Sequence, residues 1–593
     1  VKTYSRLVIV CLCGFAFFAP LKFGTPVIAQ AGLVPPNGLA EWVFFSWPNQ
    51  LATLVAFGAL MWLVLDSERL IARLDLLFVL PVLFLVSQVM AAPTSIAPQT
   101  TEDTLMAFAV YVLLFYAAAW YVRDGATAAR IFGALGLSTM IVMVLALEQR
   151  YGGLQRTREF AALYADMAHA PSDMQLRMTS NRVFGSLVYP NALAGYLGLA
   201  FAPTLAWIWV RSRSWAPAVK WCTMGFMAGL IVFCLALTGS RGGWMAFAAM
   251  AMAGLFCLAT RGSRRVGWVV GGLLAIGAVF WIANRCGLVG LGSESASARR
   301  DYWRGAFAIA RDHPWLGTGP GTFGSIYPKY KTASTEEAQL VHNNFLQMAC
   351  DSGVGGLVVF GLLWLVALRD AFRLAHERAG DPAAVAVCAA LVGFVMHSLM
   401  DFDLYVPGVA MPAFLLLGTL QGLKHLPKPR PVVPREQTRL AVGTICVAVT
   451  GAVLWMEGRS LAACFAHGRS SELRADNPAG ALADALRSIE LAPRNPHYHA
   501  SAGDLLVSMG RFEEAIQQYR AAIHCDPYRA SFHWRLARVL AAAGGKNDQV
   551  VEQLRMAHDL NPTKELYQRD LEENLRQPTP GLLESLPIKK DKP

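Results

Sequence analysis

Four short segments of this sequence set arginine, histidine and aspartate beside glycine-rich or apolar runs. The first is Leu237-Thr-Gly-Ser-Arg-Gly-Gly-Trp244, in which Arg241 stands between two apolar stretches. An arginine at the mouth of a membrane bundle is costly unless it is paired or solvated, so it is a functional candidate by default. Ser240 can cap a helix starting at Arg241, and Gly242 and Gly243 remove side-chain bulk near the exposed amides. A helix N-terminus with a guanidinium beside it suits an anion. The competing reading is an interfacial arginine reaching to phospholipid headgroups.

The second segment, Ser297-Ala-Arg-Arg-Asp-Tyr-Trp-Arg-Gly305, opens an amphipathic helix with Arg299, Arg300 and Arg304 within about a turn and a half. Trp303 suits an interface or a sugar ring; a solvated basic face explains the charges equally well. The third begins as His313-Pro-Trp-Leu-Gly-Thr-Gly-Pro-Gly-Thr-Phe-Gly324. Its glycines permit a tight backbone path close to a ligand, but without GxxxxGK[ST] it is no nucleotide loop. Downstream, His342 and Asn343 begin a helix that points into the membrane, with Phe345, Leu346 and Ala349 on one face. A histidine there can act as a general base or a donor near neutral pH, although a lone histidine is more often structural. The fourth segment, His397-Ser-Leu-Met-Asp-Phe-Asp403, offers Asp401 and Asp403, either to orient the arginines or the histidine or as solvated turn carboxylates.

What must position these groups is a membrane bundle. Of the 593 residues, 55% are hydrophobic and 16% charged, and the mean hydropathy is +0.38, which argues against a cytosolic globular enzyme. Thirteen apolar runs are long enough to cross a bilayer of about 30 Å, centred near residues 14, 54, 83, 113, 139, 201, 229, 252, 275, 361, 391, 413 and 448. The first is read as a retained helix rather than a cleaved signal, since no small-x-small site follows it clearly. Lys and Arg collect in alternate short loops, among them Arg69/Arg73, Arg123/Arg130, Arg211/Arg213, Arg261/Arg264/Arg265 and Arg369/Arg373/Arg378. The other short loops hold only Lys22 and Arg241, so the N-terminus is placed in the cytoplasm. The net charge of +11 is therefore mostly a topology signal, and nucleic acid is not expected as a partner.

Three longer segments, about 148–190, 285–352 and everything after 458, fall on the outer side, and long segments are commonly functional. No CxxC pair or Cys/His ligand spacing occurs among the eleven cysteines, so no structural metal is expected. Cys286 and Cys350 could bridge across the large outer loop. After the last run, Pro493, Pro527 and Pro562 recur at 34- and 35-residue spacing. The middle unit resembles a tetratricopeptide repeat through Gly503, Gly510, Ala515, Tyr519, Ala522 and Pro527, giving two to three repeats over about 470–575. A docking groove for a protein or glycan and a helical cap on the membrane domain are both open readings.

Taken together, the segments resemble the O-antigen ligase and polymerase superfamily. The matching stretches, in family order over about residues 180–420, are Arg182-Val-Phe-Gly-Ser-Leu-Val-Tyr-Pro-Asn-Ala-Leu-Ala-Gly195, Thr238-Gly-Ser-Arg-Gly242, Arg299 four residues before Trp303, Pro314-Trp-Leu-Gly-Thr-Gly-Pro-Gly321, and His342-Asn-Asn with Gly353 and Gly356 after it. The resemblance implies an all-α polytopic bundle of about 12–13 transmembrane helices, GT-C-like, with a C-terminal tetratricopeptide solenoid. The expected divisions are N-terminal helices (1–150), a ligase-like core with the large outer loop (151–425), a basic linker with the last span (426–458), and an external repeat domain with a disordered tail (459–593).

It further implies metal-independent, cofactor-free, inverting transfer of a glycan from a polyprenyl diphosphate carrier to an acceptor hydroxyl on the outer face of a bacterial inner membrane. Arg241 and Arg299 would hold the diphosphate and His342 would take the acceptor proton. Arg300, Arg304, Arg182, Asn191 and Asn343 are further substrate-binding candidates. Arg299 and Arg300 are adjacent, so which one carries the role is left open. Asp351 stands where relatives often have Glu, which bears on a helix contact. Partners would be the lipid-linked donor, a glycan, lipid or protein acceptor, membrane lipids, and a protein on the repeats. A ligase acting on a lipid acceptor, a polymerase and a protein O-oligosaccharyltransferase would share these motifs. A transporter or flippase would need inverted repeats and midplane charges, which the sequence lacks; a non-catalytic scaffold is the remaining alternative.

Overall fold

The computed structural model describes residues 2–32, 38–44, 46–65, 75–155, 181–258, 294–332, 335, 337–424 and 436–576. All regular structure in these residues is helical. Twelve of the thirteen expected span centres fall inside helices, while the one near 275 lies outside the described residues. Among the described residues seven helices are both long and apolar enough to cross a membrane, and Pro382–Ser398 and Pro407–Leu423 are shorter apolar helices. Helix starts are written plainly in the sequence. Pro98, Pro190, Pro217, Pro382 and Pro407 open their helices, where a missing N–H costs nothing. Asp75 and Asp124 cap two more with side-chain oxygens.

The Pro407–Leu423 helix is buried along its whole length and forms the axis of the bundle. It lies close against Pro98–Tyr121 because Gly418 and Gly422 carry no side chain; a Cβ at either would come within 2.3 Å of the Phe115 or 2.0 Å of the Val122 carbonyl oxygen. At the end of this helix away from His397 and Asp401, Lys424 Nζ lies 2.7 Å from Asp75 Oδ2 and also binds Asp370, tying three helices together. Gln421 donates to Asp75 as well. Lys424→Met removes the cation from the half-buried Asp75 and leaves the buried Asp370 with Arg369 alone, at 2.7 Å. A loss of about 1–3 kcal/mol is expected, below the cost of breaking a fully buried pair, and thermal unfolding in detergent reads it.

The Asn344–Glu377 helix is broken at Ser352–Gly353, where Gly353 has φ +64°. The glycine-rich loop closes onto this break. Thr318 N–H donates to Cys350 O at 2.9 Å, Gly319 N–H to Asp351 O at 3.0 Å, and Val354 N–H to Pro314 O at 2.8 Å. Asp351 reaches back to accept from Gly321 N–H at 2.8 Å and from the Tyr405 hydroxyl at 2.5 Å. The expected close approach to a ligand is thus a close approach to another backbone: a Cβ at Gly317 would lie 2.4 Å from the Asp351 carbonyl carbon. Cys350 is buried with its Sγ 3.2 Å from Ala306 O, and Cys286 lies outside the described residues.

The division expected at 458 falls within a single helix, Glu436–Leu473, that leaves the membrane part and enters the repeats without a break. Ser470 donates to Ala481 O at 2.8 Å and Arg469 pairs with Asp484, which seats the Pro478–Leu491 helix on its end. The repeats that follow are antiparallel helix pairs whose equivalence reaches individual bonds. His499 joins Gln518 and the Pro493 carbonyl, and His533 joins Gln553 and the Pro527 carbonyl, at the same 2.8 and 2.9 Å. Gly503 gives way to the Tyr519 ring, as the repeat pattern requires. The turns between repeats meet the membrane domain: Arg494 pairs with Glu102 at 2.6 Å, Tyr528 lies under Lys329, and Asn561 donates to Glu337 at 2.7 Å.

Candidate functional site

Two of the sequence-derived candidates converge on one carboxylate, itself a candidate. His342 Nδ1 lies 3.1 Å from Asp401 Oδ1, and an Arg299 terminal nitrogen lies 3.8 Å from Asp401 Oδ2. Asp401 is buried, and burial alone would raise its pKa. The charges of His342, Arg299 and His397 outweigh burial and hold the carboxyl well below the usual carboxylate range. It is therefore ionised and only accepts, so the proton in its bond with His342 sits on Nδ1. The imidazole is held between the Tyr302 ring, stacked at 6.0 Å, and the Phe402 ring, edge-on at 4.7 Å.

The backbone at His342 is strained to present this ring. Its φ is +56°, in the left-handed region that costs a non-glycine residue about 1–3 kcal/mol and that often marks a working site. Asn343 next returns to extended backbone, and its side-chain oxygen caps the helix through the Phe345 and Leu346 amides at 3.0 Å. That oxygen serves the helix start.

Arg299 reaches Asp401 because of the way the Glu294–Asp312 helix packs. Tyr302, Ala306 and Ile309 are buried on its inner face, and Trp303 donates to Val341 O at 3.2 Å, which turns Arg299 inward. The neighbouring Arg300 is exposed, and Arg304 pairs only loosely with Asp301 at 3.6 Å on the outer side. The choice between the adjacent arginines falls to Arg299, and Arg300 and Arg304 do not face His342.

Arg182 and Asn191 meet at 2.7 Å, and Arg182 Nε also donates to Thr238 O at 2.6 Å, which closes the turn before Arg241. Burial lowers the pKa of Arg182; Asp401 opposes this, while Arg299 and Arg241 add to it, so all four charges share one neighbourhood. Ser240 caps the Arg241–Leu258 helix, accepting from Gly243 N–H at 3.1 Å as expected. The two glycines have another use than baring amides. Gly243 faces Ala194 and Gly242 faces Met400, which lets three helices close up.

One pair went unassigned in the sequence. His397 Nδ1 bonds Asp403 Oδ2 at 2.6 Å, both buried, just behind Asp401. The pair fits because residue 195 is glycine, where a Cβ would come within 2.7 Å of both His397 Nδ1 and Asp403 Oδ1. Gly195→Ala should therefore cost about 1–3 kcal/mol in thermal unfolding and displace the turn that carries Asp401. Tyr302 and Phe402 were also missed; the only signal was Tyr302 lying three residues, one helical turn, after Arg299. Among the described residues no group of three or more His, Cys, Asp or Glu could hold a metal ion.

Residues 226–361 match the sequence profile of the O-antigen ligase family, and the stretch includes Arg241, Arg299 and His342. Residues 226–361 carry an O-antigen ligase domain. Residues 503–544 match a tetratricopeptide repeat. The repeat region is also 41% identical over 71 residues to the TPR repeat-containing thioredoxin TTL4 of Arabidopsis thaliana, covering 12% of this chain and 10% of that protein. Apolar helices and the ligase-matched stretch together support a multi-pass membrane protein, similar over residues 226–361 to the O-antigen ligase family. Arg182, Asn191 and Asp401 lie outside the ligase-matched stretch, before and at the start of the Pro190–Arg211 helix and in the turn after the Pro382–Ser398 helix.

Proposed function

We propose that this protein is a glycosyltransferase that moves a glycan from a polyprenyl diphosphate carrier to an acceptor hydroxyl at the external end of the bundle. One observation carries the reading: His342, Arg299 and Asp401 form a base, a cation and an orienting carboxylate within contact distance, with Arg182 and Arg241 beside them. The acceptor oxygen attacks the anomeric carbon while its proton passes to His342 Nε2. The bond from that carbon to the diphosphate oxygen breaks with inversion, and the departing diphosphate keeps the electron pair. Arg299 and Arg241 stabilise the charge that grows on it. Asp401 holds the imidazole in the tautomer that can accept a proton and balances the imidazolium that forms. The ligase domain supports lipid-linked substrates, and the repeats support a protein-binding role for the tail.

Incubating the purified full-length protein with a defined polyprenyl diphosphate glycan and a lipid acceptor, with and without EDTA, tests this. Transfer that survives EDTA is expected; failure with every lipid-linked donor, or loss on chelation, would overturn the reading. Lipid-linked intermediates in a deletion strain separate ligase from polymerase. Polymer left on the carrier indicates the former and single units the latter.

A further inference from the structure

The outer face of the Glu294–Asp312 helix is not used by the site, and its composition is unusual. Arg300, Arg304, Phe307 and Arg311 are spaced four, three and four apart, which sets them within about 60° of arc on one stripe. Arg304 and Arg311 are 81% and 80% exposed, and Phe307 is 64% exposed between them. Just past the helix end, Trp315 is 77% exposed, with Leu316 beside it. The acidic neighbours Asp301 and Asp312 pair at 3.6 and 3.2 Å with Arg304 and Arg311 but project about 100° or more round the helix from Arg300.

The position of this stripe relative to the bilayer follows from the clamp on the broken helix. Trp315 sits against Gly353, and Val354 N–H bonds Pro314 O. At Val354 the exposed apolar row of the spanning helix begins, running through Val358, Leu362 and Leu365 toward Arg369. The sixteen residues from Val354 to Arg369 rise about 24 Å, close to a hydrocarbon core. Trp315 and Leu316 therefore lie at the level where lipid tails give way to headgroups, which is where tryptophan concentrates in membrane proteins. The arginine–phenylalanine stripe continues from that level.

We infer that the Arg300–Arg304–Phe307–Arg311 face, anchored by Trp315, is a docking surface for the anionic phospholipid headgroups of the adjacent leaflet. Phe307, Trp315 and Leu316 enter the headgroup layer and the three guanidinium groups bind lipid phosphates. Seated this way, the helix holds Arg299, on its inner face, at headgroup depth. The inference concerns the membrane contact alone and does not rest on the chemistry of transfer.

The test is amide hydrogen exchange of segment 300–316 in the full-length protein, reconstituted in nanodiscs of phosphatidylcholine or of an equimolar mixture with phosphatidylglycerol. Exchange should slow by at least about five-fold in the anionic discs, the size expected for one basic residue at such a surface. In Arg300→Gln/Arg304→Gln/Arg311→Gln the two discs should give equal rates. A photo-reactive benzoylphenylalanine in place of Phe307 should cross-link to lipid. Equal exchange of the unaltered protein in both lipids, or cross-linking to a protein peptide instead, overturns the inference.

Discussion

Replacing His342 with alanine is expected to lower glycan transfer by about 10²–10⁴-fold, the usual contribution of a positioned general base. His342→Gln should do no better, because it can still donate toward Asp401 yet has no lone pair of suitable basicity to take the proton. Asp401→Asn tests the same unit from behind. Its loss should be about 10–100-fold, the range for partners that orient a functional imidazole. The sign of the pH effect follows from the depressed pKa of Asp401. The carboxylate is charged throughout the range from about pH 5 to pH 8, so its own titration adds no pH dependence to transfer in that range. A depressed acid also stabilises the fold above its unfolded value near 4, and that contribution disappears as the pH falls toward the folded pKa. Acid unfolding of Asp401→Asn should accordingly be flatter than that of the parent below about pH 4. Full activity in His342→Ala would remove the base from the mechanism.

Arg299→Ala is the second large effect. Loss of one preorganised cation at a developing anion typically costs about 10²–10³ in kcat. Arg299→Lys should recover only part of it, since an ammonium does not reproduce the planar fork of a guanidinium. Arg300→Ala, one residue away, should change kcat by less than about a tenth as much, because the helix turns that side chain out toward solvent. Equal defects at 299 and 300 in single-turnover transfer would mean that the helix acts as a diffuse basic patch instead of presenting one arginine.

Much of the arrangement could be read from residue types and their places at the ends of apolar runs. His342, Arg299 and Arg241 stood out because charge at a membrane boundary demands a partner or a purpose. What could not be read was which face of a helix turns inward. Arg299 and Arg300 differ by about 100° round the helix, and only the burial of Tyr302, Ala306 and Ile309 selects between them. The glycines of the 314–321 loop announced a close approach, but a missing Cβ says nothing about what approaches; here it is the break at Ser352–Gly353. Gly242 and Gly243 were ambiguous for the same reason and serve helix packing. Asn343, a substrate-binding candidate, is also an asparagine ahead of an apolar helix and serves as its N-cap. The helix through residue 458 was hidden because its hydropathy falls there while its capacity to stay helical does not.

That last feature bears on how the tail can behave. A repeat domain on a flexible linker explores a volume set by linker length, and its grip on a partner is softened by the entropy of the tether. Here the connection is a 38-residue helix, about 57 Å of continuous rod, whose far end is packed into the first repeat and which runs alongside the Asn49–Leu65 helix of the membrane part. With the turns at Arg494, Tyr528 and Asn561 resting on the outer loops, a load applied to the repeats arrives at the membrane domain as leverage rather than slack. Whatever docks there does so at a fixed height and heading above the site, closer to a vice than to a leash.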